Sequence, residues 1–158
     1  MNKRIKFLLI YFVINFFLLG CSSPLSYFND NEFEINVVTD SVLNSWEGTN
    51  SNSLSFKVYY LSNIDNLANL NYFDFISNDK KVLKSSLVKY EQFFVNPNDN
   101  IQIKGLRDAK TNYLLIVFFF IKPDLKGKKW YLVNNFDEEG SVININVKSN
   151  DFVRVRDN

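Results

Sequence analysis

Tyr113-Leu114-Leu115-Ile116-Val117-Phe118-Phe119-Phe120-Ile121 is a run of nine apolar residues with no polar interruption. It is rich in β-branched and aromatic residues, short for a buried helix, and flanked by Asn112 and Pro123. Those features read as a central strand covered on both faces. The next segment, Lys122-Pro123-Asp124-Leu125-Lys126-Gly127-Lys128-Lys129, has the Pro and Gly of a hairpin loop. Residues 130–133 then return as its partner strand, with Trp130 expected in the core. The basic stretch Lys126 to Lys129, and Arg154 and Arg156 near the chain end, read as solvated turn and tail.

Outside this hairpin the pattern is mostly period-two. Phe33, Ile35 and Val37 alternate with Glu34 and Asn36, and Leu54, Phe56, Val58 and Tyr60 alternate with Ser55 and Lys57. Ile101 and Ile103 alternate with Gln102, and Ile143, Ile145 and Val147 with Asn144 and Asn146. Residues 89–95 form another candidate, closed by Asn96-Pro97-Asn98-Asp99. Such alternation marks strands with one face in a core and one in water. Two regions differ. Residues 63–77 carry Ile64, Leu67 and Leu70 at helical spacing, with Asn63 or Asp65 as a candidate cap. Residues 79–88 suit a helical turn or an extended segment. Residues 40–53 read as a long loop. The expected fold is all-β: a two-sheet antiparallel sandwich with small helices at its side, between the second and third strands.

The chain has 158 residues, no His and one Cys. That excludes a Ser-His-Asp triad, a Cys-His dyad, His-ligated metal sites and an intrachain disulfide. Lys+Arg 18 against Asp+Glu 17 gives a net charge of +1, which lacks the basic excess of a nucleic-acid binder. The carboxylates are scattered, and Asp137-Glu138-Glu139-Gly140 lacks the alternating spacing of a calcium loop, so it reads as a solvated turn. There is no glycine-rich phosphate loop and no motif framing a nucleophile. No cofactor, metal or catalytic residue is expected, and the chain does not read as an enzyme.

Residues 1–20 read as an address. Lys3, Arg4 and Lys6 form a positive n-region, and residues 7–19 are apolar except for Asn15. The apolar stretch is short of the roughly 20 residues that span a bilayer and suits a signal peptide. Leu18-Leu19-Gly20-Cys21 resembles a bacterial lipobox. The resemblance implies cleavage before Cys21, a diacylglyceryl thioether on its sulfur and an acylated amino group. Several acyl chains anchor firmly where one binds marginally. Ser22 after the Cys favours the outer membrane. Residues 21–31 then form a lipidated tether, and 32–158 the sandwich domain. Loss of three cationic residues leaves 15 basic against 17 acidic residues, a charge of −2. The domain itself is therefore not drawn to anionic headgroups.

Trp46 stands in the polar stretch of residues 44–53, with no alternating neighbours. Two readings are open: a lid folded onto the sandwich, or an anchor for a partner.

The order of these features resembles a known family. A lipobox precedes a strand and Leu43-Asn44, with Gly48 downstream. Val58-Tyr59-Tyr60-Leu61 ends the next strand. Leu67-Ala68-Asn69-Leu70-Asn71-Tyr72-Phe73-Asp74-Phe75, the turn at Pro97 and the run from Tyr113 to Trp130 follow. This is similar to the type VI secretion lipoproteins, the TssJ (SciN, VasD) family. Tyr60 replaces a usual Gln, and Asn98 a usual Gly.

The resemblance implies a transthyretin-like sandwich on the periplasmic face of the outer membrane. It implies binding to the periplasmic domain of the IcmF-like inner-membrane subunit, TssM, through the loop between the first two strands. On this chain those residues are Asn44, Ser45, Trp46, Glu47, Gly48, Thr49 and Asn50, with Trp46 singled out as anchor. The alternatives are a lipoprotein sandwich that holds a sugar or a hydrophobic ligand, and a hydrolase with carboxylates paired in space.

Overall fold

The computed structural model describes residues 31–156, apart from Thr49, Asn69 and Lys128. The signal segment, Cys21 and nearly all of the tether lie outside the described residues, as does the Thr49 contact.

Among the described residues, eight strands form two four-stranded sheets. They are β1 (Glu32–Leu43), β2 (Leu54–Leu61), β3 (Leu87–Val95), β4 (Asn100–Leu106), β5 (Tyr113–Phe118), β6 (Tyr131–Asn135), β7 (Val142–Ser149) and β8 (Asp151–Val155). One sheet has the order β4-β1-β7-β8 and the other β3-β2-β5-β6. Between β2 and β3 lie a 3-10 turn (Asp65–Leu67), helix α1 (Tyr72–Leu83) and a second 3-10 turn (Lys84–Ser86). A one-turn helix, α2 (Phe136–Glu139), joins β6 to β7.

The core follows from the alternation. Phe33, Ile35, Val37, Ile143, Ile145 and Val147 face Phe56, Val58, Tyr60, Leu114, Ile116 and Phe118, all buried. Rings fill the space between the sheets: Phe33–Tyr60 at 5.7 Å, Phe56–Phe118 at 5.4 Å and Phe118–Phe152 at 5.1 Å between centroids. A filled interior counts against a ligand held between the sheets.

The uninterrupted run has a second cause. Leu115 and Val117 point to the opposite face of β5 and are also fully buried. Helix α1 covers that face. Phe75 packs edge-on against Tyr59 at 5.4 Å, Tyr72 does so against Trp130 at 5.2 Å, and the Tyr72 hydroxyl donates to the Phe120 carbonyl at 2.7 Å. The helices thus lie on the outer face of this sheet rather than at the side of the sandwich. The cap is Asn71, not Asn63 or Asp65; its side chain accepts from the Phe73 and Asp74 amides. The ambiguous residues divide at Leu87: helix before, strand after.

Two further expectations are corrected. The sandwich is not antiparallel throughout, because β1 pairs in parallel with β7, Glu34 opposite Val142 and Thr39 opposite Val147. Alternation has the same period in both kinds of ladder, so it does not reveal direction. Asp137-Glu138-Glu139 is a turn with Asp137 and Glu138 exposed, as expected, wound as one helical turn and begun by the Asn135 side chain accepting from the Asp137 amide. Arg154 is no solvated tail. It lies in β8, pairs with Glu139 at 2.8 Å and donates to the Asn134 side chain at 2.6 Å.

A half-buried cluster fixes α1 to β2. Asp79 accepts from Lys57 at 2.8 Å and from the Tyr59 hydroxyl at 2.7 Å. Burial pushes the Asp79 carboxyl up, but hydrogen bonds from Lys57, Tyr59 and the Lys80 amide outweigh it and hold its pKa below the ordinary 3.8. Burial and the Asp79 bond push the Tyr59 hydroxyl far above its ordinary value. A carboxylate with a depressed folded pKa contributes stability above its unfolded pKa, lost as pH falls through the folded one. Asp79→Asn is therefore expected to lower the melting temperature at pH 7, with the difference from the parent shrinking below about pH 4. Thermal melts across that range check this; a constant difference would refute it.

Candidate functional site

Strand directions sort the connections into two poles. Leu43 and Leu54 end and begin their strands beside Val95, Phe118 and Ser149. The β1–β2 loop, the β3–β4 turn, the β5–β6 loop and the β7–β8 turn therefore share one pole. The chain enters β1 at Glu32, at the other pole, beside Leu106 of β4. Twelve residues of β1 separate the two ends, roughly 36 Å at about 3.3 Å per step.

Asn44 organises the first pole. It is buried at 5% exposure and takes a left-handed φ of 48°, a conformation that Asn tolerates better than most residues. Its side-chain oxygen accepts from the Ile121 amide at 2.7 Å, and its side-chain nitrogen donates to the Ser53 carbonyl at 2.9 Å. Its carbonyl accepts from the Asn52 side chain at 3.0 Å, and its amide donates to the Ser149 carbonyl. One residue thus ties together the β1–β2 loop, the β5–β6 loop and the end of β7. Ser45 is also buried; its hydroxyl accepts from the Gly48 amide at 2.8 Å, and its carbonyl accepts from the Asn150 side chain.

The expected contact residues therefore divide. Asn44 and Ser45 are scaffold: their side chains are turned inward and already bonded. Trp46, Glu47, Gly48 and Asn50 are exposed. Trp46 is 63% exposed, so it is no lid on the sandwich. Gly48, at a φ of 81°, lets the loop turn directly behind it. Trp46, Glu47 and Gly48 form one wall of an open groove. Lys122, Pro123 and Asp124 of the β5–β6 loop and residues 148–151, where β7 turns into β8, form the others. The sequence did not join these segments, because nothing in their local patterns shows that they meet. Ionic and hydrogen-bonding groups mix throughout the groove, and among the described residues no group of three or more His, Cys, Asp or Glu could hold a metal.

This architecture can be set beside known proteins. The model of the type VI secretion lipoprotein family (VasD, EvfM, TssJ) matches residues 31–156. No curated protein sequence matches. A chain of a type VI membrane complex superimposes with a TM-score of 0.71 at 17% identity, over 80% of this chain and 98% of that one. The lipoprotein TssJ1 of Pseudomonas aeruginosa gives 0.68 at 20% identity, over 81% and 98%. A chain from a structure of the TssM C-terminal domain (869-1107) from EAEC gives 0.67 at 15%, over 80% and 99%. At these identities the superpositions show the shared sandwich. The family match spans most of the chain and every described strand, and the chain belongs to the type VI secretion lipoprotein family, TssJ.

Proposed function

We propose that this lipoprotein anchors the type VI secretion membrane complex at the outer membrane by binding the periplasmic domain of the TssM-like inner-membrane subunit. It does so without catalysis. The observation that carries this is the build of the Trp46 pole. A large aromatic side chain is presented to solvent on a loop that Asn44 fixes from below. Exposed Trp on a preorganised support is a favoured interface anchor, because little conformational freedom is left to lose on binding. The presence of a chain of this fold in a structure of a TssM C-terminal domain supports the choice of partner.

The pole opposite Trp46 is where the polypeptide arrives from residues 21–31. Acylation of Cys21 there holds that pole toward the periplasmic face of the outer membrane. Eleven tether residues reach at most about 38 Å when extended. The Trp46 pole is then turned into the periplasm, toward a subunit rooted in the opposite membrane.

Three outcomes follow. Trp46→Ala is expected to weaken binding to the TssM-like periplasmic domain by about 2 kcal/mol or more, with an unchanged melting temperature. Titration calorimetry checks this, and parent-like affinity would remove Trp46 from the interface. Asn44→Ala is expected to cost about 1–3 kcal/mol of stability, since the Ile121 amide and Ser53 carbonyl lose a buried partner. Chemical denaturation reads the difference, and a neutral change would contradict the hub role. Cys21→Ser should release the protein from the membrane fraction, and retention there would refute lipidation.

A further inference from the structure

The β5–β6 loop packs against the Trp46 loop, yet nothing in the family reading required it. Within it, residues 122–129 hold four lysines and one aspartate. Lys122, Lys126 and Lys129 are exposed, and Lys148 of β7 is exposed beside them. Among the described residues, the ion pair at this pole is Lys129 with Asp151, at 3.3 Å. Lys122, Lys126 and Lys148 have no carboxylate within ion-pair distance there. Asp124 is engaged by its own turn, accepting from the Lys126 and Gly127 amides at 3.1 Å. The β5–β6 loop is therefore net positive, while the groove beside Trp46 is lined by Lys122 and Lys148 together with Glu47, Asp124 and Asp151. The rest of the domain is acidic enough to make the mature balance −2.

We infer that the β5–β6 loop is a second arm of the docking surface, and that the segment it receives is an acidic stretch of the partner's periplasmic domain, bearing an apolar side chain for Trp46. This rests on the partner reading above. Charge complementarity selects the occupant: unpaired lysines around an apolar centre attract carboxylates and steer their approach. Position argues against anionic lipid, because the loop lies at the pole remote from the point where the tether enters. Leu125 and Ile121, 45% and 47% exposed, extend the apolar surface on the lysine side. The Ile121 amide bond to Asn44 holds that side in fixed relation to Trp46.

The test uses the lipid-free mature domain and the periplasmic domain of the TssM-like protein from the same bacterium. Three forms are compared: the parent, the triple variant Lys122→Glu/Lys126→Glu/Lys148→Glu, and a form with residues 46–50 replaced by Gly-Ser. The triple variant is expected to associate about tenfold more slowly, since rim charges act on the encounter rate. The parent's affinity is expected to fall as salt rises from 50 to 300 mM, and that of the triple variant to rise, because salt screens the repulsion between its glutamates and the acidic segment. Unchanged rate and salt dependence in the triple variant, with capture lost in the Gly-Ser form, would overturn the lysine arm and leave the partner reading intact. Full capture by the Gly-Ser form would overturn the partner reading itself. Sedimentation with vesicles containing phosphatidylglycerol supplies the remaining arm. Vesicle binding that the triple substitution abolishes, while capture stays at the parent level, would assign the lysines to a lipid surface and overturn the inference.

Discussion

Burial of Leu115 and Val117 is the constraint on which the structure depends. A strand with apolar side chains on both faces needs two covers. The other sheet supplies one, and α1 the second, through Phe75 and Tyr72. Fixing α1 in turn requires a cap at Asn71 and the link from Asp79 to Lys57 and Tyr59. Trp130 is then enclosed between the helix and the sheet, and its position sets where the β5–β6 loop must close. The partner sheet carries no such burden. Its outer face bears Glu34, Asn36, Gln102 and Asn144, whose side chains bond to one another across three strands in water.

How much of this was legible depends on the range of the interaction. The strands with one wet face announced themselves by alternation, and the doubly covered β5 by its absence. Both signals are local, since each side chain reports its own surroundings. The small helices could be foreseen, but not their start. Asn63, Asp65 and Asn71 are all competent caps, and the choice falls to Asn71 because Tyr72 and Phe75 then reach Trp130 and Tyr59. The parallel pairing of β1 and β7 left no trace in sequence, because ladder direction is set by which strands the connections bring together. The same is true of Arg154. A basic residue near a chain end reads as solvated until Glu139 and Asn134 are brought beside it.

At the Trp46 pole the sequence singled out the tryptophan but not its setting. A large aromatic residue among Asn, Ser and Gly stands out without any structure. Asn44, two residues earlier, looks like one more polar loop residue. Its burial, positive φ and bonds to three separate segments come from the tertiary arrangement. The Leu43-Asn44 pair therefore belongs to the framework of the loop, and it acts on Trp46 through the bonds that fix the loop's base. Such indirect support also unites the loop with the lysine-rich hairpin, which sequence alone leaves more than seventy residues away.

β1 sits between two neighbours that the chain supplies late. Asn36 meets Gln102, 66 residues on, and Asn144, 108 residues on. Closing loops of that length costs entropy before the new contacts compensate, so topology of this kind folds slowly. On a chain delivered from its amino terminus, β1 emerges first and is completed almost last. Until β7 arrives it presents an open edge of backbone donors and acceptors, together with Phe33, Ile35 and Val37. The nascent protein is thus an aggregation hazard for most of its delivery, and a carrier that shelters this first strand would govern its yield more than the final stability does.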